Sequence, residues 1–237
     1  VLNRIYISVI NLHQASLIKM YFRFHKEISV SVIIVLLLII FFYFIYIPFF
    51  VIFLITLLFV LYFFRDPIRS VPLGDDILVS PADGIITSIT EKKIGKKNYI
   101  KVSTFLSVFD VHIQRLPTKA TVEKIEYFEG KFLNATLDKS SEENERLTIT
   151  LKNSKGTIYV TQIAGLIARR IMCYIKENDS VEQGEQYGII KFGSRVDISY
   201  PDSYVTSVSV GQRCVGGETI MAYDAKILDH KRSYKKI

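Results

Sequence analysis

Thr157-Ile158-Tyr159-Val160-Thr161-Gln162-Ile163-Ala164 holds five β-branched residues and one aromatic in eight positions, with no glycine or proline. Such side chains lose rotamer freedom in a helix and pack well on a pleated surface, so the stretch reads as a strand. The turn signal at 152–156 stands before it, and 147–151 on the other side of that turn has the same character. The pattern continues outward in both directions. Residues 77–80, 84–90, 99–104, 120–128, 188–192, 196–200 and 219–222 read as further strands. Asp75-Asp76, Ala82-Asp83-Gly84 and Asn178-Asp179 punctuate them. Helical period is confined to 137–144 and 168–175. Residues 65–225 are therefore expected to form a mainly β, β-rich α+β domain.

Glu177-Asn178-Asp179-Ser180-Val181-Glu182-Gln183-Gly184-Glu185 is similar to the turn that precedes a strand in lipoyl and biotinyl carriers. That likeness implies a barrel-sandwich-like scaffold. Carriers display a modifiable lysine in a hairpin, and no lysine here sits in such a motif.

Ahead of the β region, residues 28–64 carry no charge. As one helix these 37 residues would reach roughly 55 Å, against about 30 Å of bilayer hydrocarbon. Pro48 stands in the middle, where it breaks a helix. The block is thus expected to be a membrane-anchoring hairpin of two apolar helices, about 29–46 and 49–64. It either spans the bilayer twice or dips into one leaflet. Basic residues flank it on both sides, Arg23 and Lys26 before and Arg65 and Arg69 after, which favours both ends on the cytoplasmic face of the cell (inner) membrane. Residues 1–27 form a basic leading segment, in which Met20 is read as the true start.

The net charge of +7 is not spread evenly. Residues 1–27 contribute +3 and the tail 226–237 contributes +4, so the remainder is near neutral. A nucleic-acid binder carries its positive charge on the folded domain, so nucleic acid is not an expected partner. Charge at the ends fits anionic lipid headgroups. Cys173 and Cys214 are too few for a disulfide scaffold and lack metal-site spacing, so no metal is expected.

The chemistry points to Lys191-Phe192-Gly193-Ser194-Arg195. A Gly-Ser bond is easily turned against itself, because glycine leaves its carbonyl unshielded and permits a strained turn. Ser194 Oγ can attack the Gly193 carbonyl, and β-elimination then splits the chain. His112 is the only histidine between residue 26 and the C-terminal tail, and with Asp83 it is a candidate for proton transfer. Arg115, Arg146 and Arg195 are candidate binders of anionic substrate groups. No Gly-x-Ser-x-Gly elbow surrounds Ser194, which weakens a serine hydrolase reading.

Ser80-Pro81-Ala82-Asp83-Gly84, then Phe105 to Pro117 with Asp110-Val111-His112 inside it, then Asn144-Glu145-Arg146, then Phe192-Gly193-Ser194 occur in that order. The series resembles the phosphatidylserine decarboxylase proenzymes of the short bacterial form, over about residues 62–223. The resemblance implies cleavage between Gly193 and Ser194 into a large chain, 1–193, and a small chain, 194–237, held together as a heterodimer and open to higher oligomers. It implies a covalent pyruvoyl group (pyruvate) made from Ser194, which forms a Schiff base with the amine of phosphatidylserine and yields phosphatidylethanolamine and CO₂. Asp83 and His112 match the family's catalytic positions. Longer members carry a second histidine where Arg115 stands. Gly216-Gly217 is implied to turn near the pyruvoyl pocket, and 131–135 is a further match. An ether-linked serine phospholipid as substrate, or a non-catalytic membrane-tethered adaptor, are the alternatives.

Overall fold

The computed structural model describes residues 23–130, 143–165, 171–191, 194–224 and 233–237. It divides into two compact units, Val1–Ile68 and Arg69–Ile237.

The described part of the first unit is a helical hairpin, α1 (Ile28–Tyr43) and α2 (Ile47–Phe63). Pro48 lies in the first turn of α2, where its missing N–H costs no hydrogen bond, so the break falls three residues earlier than the proline. Phe42 stacks on Phe53 and leans on Phe49, with ring centroids 5.2 and 5.1 Å apart. The base is closed by a hydrogen bond from His25 N–H to the Phe64 carbonyl (2.9 Å) and an Arg23–Asp66 ion pair (3.2 Å). Both helices are apolar on every side, and Leu37, Ile40, Phe44, Ile55 and Leu58 are exposed. At 16 and 17 residues they measure about 24 and 26 Å. No described helix is long and apolar enough to cross a membrane.

The second unit is built from sixteen described strands: β1 (Ser70–Leu73), β2 (Ile77–Val79), β3 (Gly84–Ile94), β4 (Lys97–Leu106), β5 (Ile113–Arg115), β6 (Ala120–Phe128), β7 (Arg146–Asn153), β8 (Gly156–Ala164), β9 (Ile171–Cys173), β10 (Ser180–Val181), β11 (Gln186–Ile190), β12 (Ser194–Pro201), β13 (Tyr204–Thr206), β14 (Arg213–Cys214), β15 (Ile220–Asp224) and β16 (Ser233–Lys236). The expected β-rich class is the observed one. Eight strands form one sheet in the order β10-β6-β7-β8-β12-β4-β3-β14, and β5-β11-β9, β13-β15-β2 and β1-β16 form smaller sheets. β12 is the strand that organises the core. It pairs antiparallel with β4 along its whole length and with β8 over six residues. Its alternate residues Val196, Ile198 and Tyr200 point inward, among buried Val102, Leu106, Ile149, Val160 and Ala164.

One expectation needs adjusting. The helical pattern over 168–175 does not hold at Ile171–Cys173, which pairs with Gly188–Ile190 as β9, so sheet pairing overrides local propensity. The helical expectation for 137–144 falls mostly outside the described residues.

Candidate active site

Ser194 opens β12, opposite Leu106 of β4 on one side and Ala164 of β8 on the other. Its side chain is fully buried, and its Oγ has no hydrogen-bond partner among the described residues. A buried hydroxyl left in that state loses its water contacts without replacement, at about 1–3 kcal/mol. Gly193 lies outside the described residues, as does the match at 131–135.

His112 stands one residue ahead of β5. Its carbonyl accepts the Ile190 N–H (3.4 Å), and β5 pairs with β11, the strand that leads toward Ser194. The imidazole is fully buried, with Nδ1 2.9 Å from the Asp110 carbonyl. A carbonyl can only accept, so Nδ1 carries the hydrogen, and Nε2 is the nitrogen through which the ring can take up or give a proton. Asp83 is not the group that meets Nδ1. The Asp110 backbone does so from two residues away. Asp110 is itself pinned by the Ser107 N–H (2.8 Å) and Arg213 Nη2 (2.7 Å).

Asp83 occupies the turn between β2 and β3. Gly84 ends that turn with φ +153°, and a Cβ there would lie 2.1 Å from the Phe105 carbonyl oxygen, so only glycine lets the turn close onto β4. The carboxylate accepts from Arg69 Nη2 at 2.9 and 2.8 Å and from the Gly216 N–H at 2.8 Å. Burial pushes its pKa above the ordinary value. The Arg69 charge and the Gly216 hydrogen bond work against that rise, while nearby Asp110 adds to it. Cys214, on β14 beside Gly84, places Sγ 3.6 Å from the Ala82 and Gly84 carbonyls and 3.9 Å from Thr104 Oγ1. Thr104 faces Val196 in the β4–β12 register, two residues along from Ser194. Asp83's turn and Ser194 thus border the same stretch of β4.

The sequence profile of phosphatidylserine decarboxylase matches residues 56–222, which takes in this whole arrangement. Two curated relatives are phosphatidylserine decarboxylase proenzymes of Ehrlichia ruminantium, from strains Gardel and Welgevonden. Each is 49% identical over 178 residues, covering 73% of this chain and 78% of the relative. The chain belongs to the phosphatidylserine decarboxylase family.

In this family member, the three arginines expected to meet substrate separate into two groups. Arg115 is buried on β5, donates from Nη1 to the Gly184 carbonyl (3.1 Å), and donates its backbone N–H to the Pro81 carbonyl (2.9 Å). Gly217 has φ +79°, and a Cβ there would lie 2.9 Å from Arg115 Cδ, so the Gly216-Gly217 turn both feeds an N–H to Asp83 and makes room for Arg115. Arg195 and Arg146 are elsewhere. Both lie in register with Ile163, on the sheet face opposite Ser194. Arg195 forks onto Asp197 (2.6 and 2.8 Å), and the Arg146 guanidinium lies 4.4 Å from the Phe128 ring centroid, on the rim of an outer groove of about 620 Å³.

Arg69, Asp110 and Arg213 were not singled out from the sequence as site residues. Arg69 reads there only as a charge flanking the apolar block. Among the described residues, no cluster of three His, Cys, Asp or Glu side chains could hold a metal ion.

Proposed function

We propose that this chain is a self-processing, pyruvoyl-dependent enzyme that decarboxylates phosphatidylserine to phosphatidylethanolamine. The observation that carries the reading is Ser194: a buried, unpartnered hydroxyl at the head of the central strand, in a chain of this family. A residue placed at that cost to stability fits a group that reacts. Its Oγ adds to the Gly193 carbonyl carbon, and the Gly193–Ser194 C–N bond breaks to give an ester. Loss of the Ser194 Cα proton expels the Gly193 carboxylate, and hydrolysis of the remaining enamine releases ammonia and leaves the ketone. The orphaned Ser194 site suits that group, since nothing described competes for it. When formed, the pyruvoyl carbonyl supplies an electrophile for the substrate amine and an acceptor for the electrons freed with CO₂.

The protein's own residues handle protons and charge. His112, with Nδ1–H committed to Asp110, offers Nε2 as the base for Ser194 Oγ and as the carrier that returns a proton where CO₂ has left. Asp83, whose carboxyl is held above the usual carboxylate range by burial, is a second proton acceptor. Arg115 offsets anionic groups of the substrate. Segments 1–193 and 194–237 are the large and small chains of the mature enzyme. The all-apolar α1–α2 hairpin, too short to cross, suits insertion into one leaflet as an anchor within residues 28–64, with the β domain over 65–225 on the cytoplasmic side of the inner membrane. An anchored enzyme works at the interface, where the acyl chains hold its substrate.

Intact mass spectrometry of the purified protein beside Ser194→Ala tests this. The wild type should yield two pieces, the smaller starting with a carbonyl-reactive cap and no free amine. The variant should stay whole. An active wild type consisting of one continuous chain would refute the reading.

A further inference from the structure

We propose that Arg69 is a positioning residue for self-cleavage: its guanidinium holds the Asp83 carboxylate aimed and ionised, and Ile237 with β16 holds Arg69. The inference rests on the reading of Asp83 as a proton acceptor. Arg69 Nη2 lies 2.9 and 2.8 Å from the two oxygens of Asp83, and both side chains are largely buried. The backbone of Arg69 is fixed independently. Its N–H donates to the Ile237 carbonyl (2.9 Å) and its carbonyl accepts the Ile237 N–H (3.0 Å). The next residue, Ser70, donates its N–H to Glu218 Oε1 (2.7 Å) and begins the β1–β16 ladder.

The geometry is not the one that stability alone would select. An arginine that serves mainly to tie two elements presents two nitrogens to two oxygens as a fork. Here one nitrogen serves both oxygens, while Nε is buried with no hydrogen-bond partner. A buried ion pair is in any case weak support for stability, because desolvation opposes it. What the contact does achieve is electrostatic. Burial and the Asp110 charge favour a neutral Asp83, whereas Arg69 and the Gly216 N–H favour the anion. The Cys214 thiol beside this turn is pushed upward by burial, so it stays neutral and adds no negative charge. Arg213 engages Asp110. Among the described residues, Arg69 is therefore the cation on which the charge of Asp83 depends.

The test follows self-cleavage of the full-length chain, translated in vitro and then shifted to a series of pH values, for the wild type, Arg69→Gln and Arg69→Lys, with Ser194→Ala as the uncut control. Removing an opposite charge at this distance raises a carboxyl pKa by about one to three pH. The sign follows directly: a higher pKa leaves less anion at a given pH, so the acid limb of the rate profile moves up. Arg69→Gln should cleave at least about tenfold more slowly on that limb and recover toward the wild-type rate as pH rises. Arg69→Lys, which restores charge without the planar donor, should fall between. The proposal is overturned if the Gln profile coincides with that of the wild type. It is equally overturned if both variants are slowed by one factor at every pH or fail alike to cleave, which is the signature of a purely structural role. A wild type that never cuts would instead defeat the function proposed above, and the two failures are thus told apart.

Discussion

Replacing His112 with asparagine separates stability from chemistry. The asparagine amide can keep the donor that His112 Nδ1 gives to the Asp110 carbonyl at 2.9 Å, but it has no counterpart to Nε2. The cost to folding is the lost ring volume at a fully buried position, about 1–2 kcal/mol. A domain with about 5–15 kcal/mol of stability tolerates that. Loss of a positioned base removes about 10²–10⁴ in rate, or about 3–5 kcal/mol of transition-state stabilisation. Activity should therefore collapse while the protein melts only a few degrees lower. The assay is CO₂ release from phosphatidylserine in detergent, divided by the carbonyl content of the same sample, so that poor maturation is not mistaken for poor turnover. Thermal melting runs alongside. Activity per carbonyl within tenfold of the wild type would refute the assignment of Nε2 as a base. A loss matched by a collapse in melting temperature would show that the ring is only a packing element.

Two other substitutions probe the frame around the site. Arg195→Ala leaves Asp197 buried with Lys101, 4.0 Å away, as its remaining cation, which should cost about 3–5 kcal/mol. Because Arg195 faces away from Ser194, KM of the enzyme that does mature should be unchanged, and a raised KM in steady-state assays would contradict that placement. Stopping the chain before Ser233 removes the partner of β1; since all four β16 residues are exposed, the loss is a few ladder hydrogen bonds, about 1–2 kcal/mol. Hydrogen exchange should quicken in β1 and stay slow in β12, and uniform quickening would show that β16 supports the whole domain.

The long strands were legible because their information is local. Segments such as 120–128 and 157–164 carry runs of β-branched and aromatic residues bounded by turn signals, and β6 and β8 fall there. Four of the short strands were not. β5, β9, β10 and β14 have two or three residues each, too few for any period, and exist because distant partners supply their hydrogen bonds. Pro72 hides β1 for a related reason: proline argues against a strand except at an edge, and β1 pairs only with β16. In the site, Ser194, His112 and Asp83 stood out through motif order. The partner that orients His112 is a backbone carbonyl, to which the identity of residue 110 gives no clue. Arg69 is fourteen positions from Asp83, and its basic charge beside an apolar block has a sufficient explanation of its own. The placement of Arg195 was in principle readable, because adjacent strand residues face opposite ways and Arg195 must lie on the other face of the sheet from Ser194.

β12 lies between β4 and β8, β14 against β3, β15 against β2, and β16 against β1. A nick ahead of Ser194 therefore yields fragments interleaved in three separate sheets, not two lobes that meet at a surface. Dilution cannot pull them apart. They come apart only at the rate at which the domain denatures, so gel filtration would report one body of unchanged size. For the same reason, mixing separately prepared fragments should not regenerate the enzyme: the shorter one, alone, keeps the β13–β15 pair and leaves β12, β14 and β16 without their neighbours, prone to aggregate before it can be threaded back.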